Sequence, residues 1–472
     1  MNQLNPQDSS STLSLKRATL IVTTLASFLD PFMGASVNVA LPTIGHEFAM
    51  SAVLLGWVNT AFLLAAAAFM VPFGRLGDIY GRKKIYIIGV CVFTSASVFL
   101  ALSTSSTMLI LFRVMQGLGA SMAFATRIAI LISVYPANER GRVLGINVAA
   151  VYLGLSTGPF LGGLITQYLG WRFIFWINVP IGAMMLILIF WLLKGEWAED
   201  RGLKFDLVGS ILFALALLST MYGFSKLPEI YAGILVAVGV LGIAIFINYE
   251  LRIDTPIIDI NLFRHNTVFA FSNLAAMINY AATFAVSFLL SIYLQKVKGY
   301  SPQITGIIMV SQPAVQAIFS PSAGRLSDKI EPRTVASAGM GLTFAGLSLM
   351  AFLNASSSLY YIVGCMMILG FGFALFSSPN TNAIMSSVER RYYGVAGAMV
   401  GTMRQTGMMV SMGVVMMILA LYLGRAEIDT ATLARFGISM RTAFIVFAAL
   451  CFGGIFASLA RGKMQRRAKQ AD

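Results

Sequence analysis

Apolar residues run through this chain in long blocks separated by short polar stretches. Fourteen blocks are long enough to cross a bilayer as helices. They lie at about 18–41, 52–73, 83–103, 107–135, 141–167, 171–194, 205–225, 229–249, 267–294, 303–324, 333–353, 358–382, 393–422 and 438–461. The first seventeen residues are polar and end in Lys16-Arg17. Two basic residues before an apolar run imitate a signal peptide. That run spans 18–41, however, and lacks a convincing small-residue cleavage site, so an uncleaved first span is predicted.

Composition agrees with this reading. Of the 472 residues 58% are hydrophobic and 11% charged, and the mean hydropathy is +0.80. A soluble chain of this length could not bury that much apolar surface, so its solvent is lipid. Cys91, Cys365 and Cys451 all fall in apolar blocks and imply no disulfide framework. His46 and His265 lie near block ends, which argues against a metal site. The net charge of +14 could suggest nucleic acid, but the placement of the charges decides otherwise. With a cytosolic N-terminus, 23 of the 33 Lys and Arg fall in inner loops and tails, 7 in outer loops, and Arg113, Arg127 and Arg404 inside spans. That is the positive-inside pattern, with both termini cytosolic in a plasma (inner) membrane and no nucleic-acid partner.

One segment recurs. GRLGDIYGRKK (Gly74–Lys84) closes the second span and GRLSDKIEPR (Gly324–Arg333) closes the tenth. Two copies of one loop at matching places imply duplicated helical bundles, a common construction of secondary transporters. The predicted organisation is a tail (1–17), a six-helix bundle (18–200), two inserted transmembrane helices (201–252), a second six-helix bundle (253–461) and a basic tail (462–472). In the loop, Gly74 and Gly81 allow tight turns. Asp78 can meet guanidinium groups, and Arg75, Arg82 and Lys83 can meet carboxylates and helix C-termini. The second copy, with Gly324, Arg325, Asp328 and Arg333, lacks the later glycine and should form the weaker latch.

Asp30 is the one acidic residue of nineteen read as lying inside a span. A carboxylate at that depth costs on the order of 2.5–3.5 kcal/mol, so it is a functional candidate by default. Arg113 enters the membrane in LFRVMQGLGA, roughly 9 Å from the outer end of its span, against roughly 18 Å for Asp30 at 1.5 Å per residue. The reach of an arginine nearly closes that difference. Burial favours a neutral acid and a guanidinium favours a carboxylate, so a motion altering either would load or release a proton. Arg127 lies near the inner end of span four, where its side chain can snorkel. The glycines of GLSTGPFLGG (Gly154, Gly158 and Gly162) share one helical face for close packing, and Pro159 invites a bend.

These strings, with NVALP (Asn38–Pro42) and WRFIFWINVPIG (Trp171–Gly182), resemble the major facilitator superfamily along essentially the whole chain, specifically its fourteen-span drug:proton antiporters of the EmrB/QacA type. The resemblance implies an all-α fold of two six-helix bundles plus two inserted helices. It implies that the loop motif latches the cytoplasmic side and that Gly154, Gly158, Pro159, Gly162 and Gly163 form an antiporter motif typical of exporters. It also implies that Arg113 works with a span-one acid. The usual position of that acid is Met33 here, with Asp30 three residues earlier.

The function expected is proton-coupled export of lipophilic small molecules. The alternatives are an uptake symporter or anion carrier, or a lipid or lysolipid translocator on the same fold. Candidate cavity residues are Phe32, Asn38, Asn59, Gln116, Tyr152, Asn279, Tyr280, Gln312, Gln316, Asn380, Asn382 and Arg404. Twenty-six methionines suit an adaptable cavity. No cofactor is expected, since the driving force is the proton gradient and no ATP-binding loop is present in the sequence. No catalytic cluster occurs in the spans, so an enzyme is not expected. The expected working form is a monomer among membrane lipids.

Overall fold

The computed structural model describes residues 6–193, 195–227, 229–253, 256–258, 260–388, 393–424 and 426–462. The described residues form helices and no strand. In the first half these are α1 (Pro6–Glu47), α2 (Ala52–Tyr80), α3 (Arg82–Ala101), α4 (Ser106–Val134), α5 (Ala137–Tyr168), α6 (Arg172–Trp176) and α7 (Asn178–Leu192). A hairpin of α8 (Leu207–Lys226) and α9 (Ile230–Glu250) follows. The remainder comprises α10 (Ile260–His265), α11 (Thr267–Ile292) with a π-turn at Tyr293–Val297, α12 (Pro302–Met309), α13 (Ser311–Lys329), α14 (Pro332–Met350), α15 (Leu359–Ser386), α16 (Tyr393–Leu423) and α17 (Leu433–Ala460).

Side chains that satisfy the first free N–H groups fix several helix starts. Ser51, Ser105, Ser301 and Ser358 each accept from the backbone N–H three residues on, and Asp206 does so for α8. Between α2 and α3 only Gly81 intervenes, at φ 122°, a conformation that L side chains avoid. In lipid no water relieves a broken backbone bond, which is why helices dominate and why Pro31, Pro72, Pro159 and Pro379 stay inside continuous ones.

Thirteen helices among the described residues are long and apolar enough to cross a membrane. The predicted span at 333–353 is helical as α14 but does not reach that apolarity. Arg333 sits in its first turn, and Gly and Ser are scattered through it. Helix α1 also begins earlier than the predicted span, at Pro6. The polar stretch before residue 18 is therefore helical where described, while residues 1–5 and 463–472 lie outside the described residues.

The chain forms two compact units. The first takes in the chain to Ile258, with Val286–Val310 and Met412–Phe436. Inside it α1 packs along α5, α2 and α3 along α4, α8 on α9, and α12 on α5. The second takes in the chain from Asp259 to Ala285, Ser311–Ser411 and the chain from Gly437. There α15 packs on both α13 and α14.

Candidate functional site

Asp30 sits in mid-helix, immediately before Pro31 of α1. It lines a cavity of about 40 Å³ enclosed by α1, α3, α4 and α7, whose other polar members are Thr94 and Asn178. Asn178 is 1% exposed, and its Nδ2 donates to the carbonyls of Ile174 (3.1 Å) and Phe175 (3.3 Å). Among the described residues its Oδ1 has no partner, and neither has the hydroxyl of Thr94. Other helical threonines, such as Thr126 and Thr166, bond the carbonyl four residues back. Thr94 instead presents its hydroxyl toward Gly182 of α7, where a Cβ would collide with it. The rest of the lining is apolar, with Leu29, Val90, Phe93 and Met185 among the walls, and a cavity of this size can hold a water molecule only where these few polar groups face it.

Arg113 of α4 is 2% exposed. Its Nε donates to the Val58 carbonyl (2.8 Å), its Nη1 donates to Gln116 Oε1 (2.6 Å), and the guanidinium lies 4.5 Å from the Phe62 ring centre. Gln116 in turn donates to Ser97 Oγ at 2.9 Å. Asp30 lies within electrostatic range of Arg113. The structure thus brings the two predicted residues near one another, while the hydrogen bonds orienting the arginine come from α2 and α4. Beside them, Asn59 donates to Asn38 at 2.6 Å, tying α2 to α1. Arg127 departs from the snorkelling expectation. It is buried, stacks on Phe124 at 4.6 Å, and donates to the Ala26 carbonyl of α1 at 3.3 Å.

The glycines of α5 divide between two faces. Gly154 lies against Phe28, Pro31 and Phe32, Gly158 against Phe32 and Ala35, and Gly162 against Ser36. The Ser36 hydroxyl donates to the Gly158 carbonyl at 2.9 Å. This face therefore holds the turns of α1 on either side of Asp30. The other face carries Pro159 and Gly163, against Gly306 and Pro302 of α12. Close backbone approach of this kind is what small residues permit.

The loop motif finds most of its partners in the segment after α7, the polar flank between the apolar blocks at 171–194 and 205–225. Arg82 donates to Asp78 (2.7 Å), Glu199 (2.7 Å) and Ser133 (2.9 Å). Arg75 pairs with Asp200, and Lys83 Nζ donates to the Leu193 carbonyl at the end of α7. Glu196 accepts from the Lys83 N–H at 2.8 Å and packs over Gly81, leaving no room for a side chain there. In the second copy Arg333 pairs with Glu331 at 3.3 Å, Gly324 faces Ser378, and Arg325 is exposed. The side chain of Asp328 lies outside the described residues. In the string WRFIFWINVPIG, Trp171 and Arg172 both donate to Glu47 at the end of α1, at 2.6 and 2.7–3.0 Å.

The remaining candidates are spread more widely. In the first unit Phe32 is buried and stacks on Phe28, and Tyr152 is half-buried. In the second unit, Asn279 is fully buried with no partner for its amide among the described residues, and Tyr280 stacks edge-on against Phe373. Tyr280 also meets Gly407, one turn from Arg404 on α16, and Arg404 Nε has no partner among the described residues. Asn380 donates to the Ser272 carbonyl and Asn382 to Ser327. Gln312 packs its carbonyl against Gly370, and Gln316 is buried. A separate 410 Å³ groove, lined by Phe344, Phe352, Arg441 and Phe452 among others, lies between α14 and α17.

The sequence model of the Major Facilitator Superfamily matches residues 23–205 and 273–471, leaving α8, α9 and α10 unmatched. The riboflavin transporter RibZ of Clostridioides difficile (strain 630) is 34% identical over 387 residues, or 82% of this chain and 84% of its own length. The multidrug resistance protein Stp of Mycobacterium tuberculosis (strain CDC 1551 / Oshkosh) is 34% identical over 411 residues, 86% of this chain and 76% of its own. A crystal structure of a bacterial homologue of the human lysosomal transporter Spinster, inward-facing and unoccupied, superposes with a TM-score of 0.65. It is 18% identical and covers 97% of this chain and 98% of the other, a likeness of fold alone.

Proposed function

This chain belongs to the major facilitator superfamily, and on that premise we propose that it is a proton-coupled exporter of lipophilic small molecules that works by alternating access. The observation that carries this reading is Asp30, a mid-helix carboxylate that lines a small, mostly apolar cavity with Thr94 and Asn178 and lies within electrostatic range of Arg113. Its helix lies on the glycine face of α5, whose other face meets α12. A movement of α12 would reach Asp30 through α5 and alter its hydration or its distance from Arg113. Either change makes an acid take up or release a proton. One proton crossing about 100 mV supplies about 2.3 kcal/mol, enough for roughly a fifty-fold gradient of a neutral substrate. The antiporter motif and the relative named for multidrug resistance support export. The charge bias supports cytosolic termini.

The test is transport in sealed vesicles under an imposed proton gradient, comparing the wild type with Asp30→Asn. Proton-driven substrate movement should be lost in the variant. Unchanged proton-linked transport would sink the mechanism.

A second reading is favoured by the relative named a riboflavin transporter: the chain would move a planar, polar, riboflavin-like compound. The in-span arginines suit neutral or weakly anionic amphiphiles. Labelled riboflavin in cells with and without the protein separates the two readings by substrate and by direction of movement.

A further inference from the structure

Two buried carboxyl groups meet at the open end of the α8–α9 hairpin. Asp206 precedes α8 and Glu250 ends α9, and they are 6% and 3% exposed. Each has one oxygen engaged. Asp206 Oδ1 accepts from the Gly209 N–H (2.9 Å) and from the Tyr249 hydroxyl (3.1 Å). Glu250 Oε2 accepts from the Ile258 N–H (2.9 Å). The other two oxygens, Asp206 Oδ2 and Glu250 Oε1, are buried with no donor among the described residues. Both sit over the bare Cα of Gly209, where a Cβ would strike Asp206 Oδ2 and lie 2.6 Å from Glu250 Oε1. Two acceptors have thus been brought to one place, with glycine making the space for them.

Two ionised carboxylates cannot share such a site without strong repulsion and a double desolvation cost. One proton between them turns an acceptor–acceptor contact into a short charge-assisted hydrogen bond. Among the described residues of α8, α9 and the 256–258 segment, the groups that bond to the pair are the Tyr249 hydroxyl and backbone N–H groups. Lys204 and Arg252, each two residues along the chain from one member, are exposed.

We propose that Asp206 and Glu250 form a second proton-binding site, holding one proton between Asp206 Oδ2 and Glu250 Oε1 at neutral pH. The site is separate from Asp30 and does not depend on its role. The bound proton clamps α8 to α9 and, through Glu250 and Ile258, to the segment that leads into the second half of the chain. Losing it leaves two buried charges, and the open end of the hairpin should loosen.

Infrared spectroscopy of the purified full-length protein tests this through the carbonyl stretch of a protonated carboxylic acid. Asp30→Asn is the background for the variants in this measurement, so that Asp30 contributes nothing. At neutral pH the band should be present in the wild type, retained in Asp30→Asn, and lost when Glu250→Gln is added to it. Melting temperature gives a second readout. A shared proton makes the folded state bind more protons than the unfolded one, so wild-type stability should fall as pH rises through neutrality. Glu250→Gln supplies a permanent N–H donor in nearly the same shape and should flatten that slope. Asp206→Asn should also lose the band; because it alters the α8 cap, Glu250→Gln decides if it folds poorly. A band that persists when Glu250→Gln is added to Asp30→Asn overturns the proposal. So does a wild type lacking the band whose melting temperature rises on adding sodium or calcium, which would make the pair a metal site.

Discussion

Gly163 of α5 lies directly against the main-chain carbonyl of Pro302 at the start of α12, with no room for a methyl group between them. Backbone cannot yield as a flexible side chain does, so Gly163→Ala must push α5 and α12 apart. Overpacking of this kind costs on the order of 1–3 kcal/mol, or roughly 5–150-fold in the population of the packed arrangement. Transport by Gly163→Ala should fall at least several-fold while its amount in the membrane stays near wild type. At Gly145, on the same helix, an added methyl group would meet nothing within 4 Å, and Gly145→Ala should be neutral. Equal behaviour of the two variants in a transport assay would reject the packing explanation.

Arg113 reaches two acceptors at once, the Val58 carbonyl and Gln116 Oε1. A planar fork can do this from one position; the single ammonium of lysine cannot hold the same geometry. Arg113→Lys keeps the charge near Asp30 but leaves a buried acceptor unmet, a penalty of about 1–3 kcal/mol. We expect at least a tenfold loss of transport with a lowered melting temperature. Arg127→Lys should be milder, because its bond to the Ala26 carbonyl is already long at 3.3 Å. A fully active Arg113→Lys would show that charge alone matters at this position.

The loop motif should show a graded response. Arg82 is nearly buried and bonds Asp78, Ser133 and Glu199, whereas Glu199 is 68% exposed. Exposed ion pairs contribute about 0–1 kcal/mol after screening, so Glu199→Gln should change stability by no more than about 1 kcal/mol and transport by less than about fivefold. Asp78→Asn removes the less exposed partner and should cost more. Arg82→Ala removes all three contacts and should cost most. Melting temperatures and transport rates that break this order would argue that the contacts around Arg82 are incidental.

The helices were legible because lipid demands long apolar runs, and each span between residues 18 and 461 is helical where described. Short polar segments were less legible. Glu196, Glu199 and Asp200 read as a flank because nothing in a linear pattern says that they fold back onto Gly81 and Arg82. Asp206 and Glu250 read as span ends for a related reason. Their meaning lies in being opposite one another across a hairpin, 44 positions apart in the sequence (206 and 250), which periodicity does not record. The two faces of GLSTGPFLGG were half visible. The four-residue glycine spacing predicted one close-packed face, but the contact of Gly163 with Pro302 required the tertiary partner.

The cavity beside Asp30 leads to the sharpest prediction for the coupling site. Thr94 Oγ1 and Asn178 Oδ1 are the side-chain atoms there with no partner among the described residues, and about 40 Å³ is room for one water beside them. Thr94→Val keeps the shape and removes the hydroxyl; Asn178→Leu removes the amide acceptor and fills space. Both make the surroundings less polar, which favours the protonated acid over the carboxylate. The pH at half-maximal proton-driven transport should therefore move upward in each variant, further in Asn178→Leu. Because Asn178→Leu also strips the amide from the Ile174 and Phe175 carbonyls, Thr94→Val is the cleaner case. Its melting temperature should hold while its pH profile shifts. A profile that stays in place in Thr94→Val, with transport otherwise normal, would place the proton step away from this cavity.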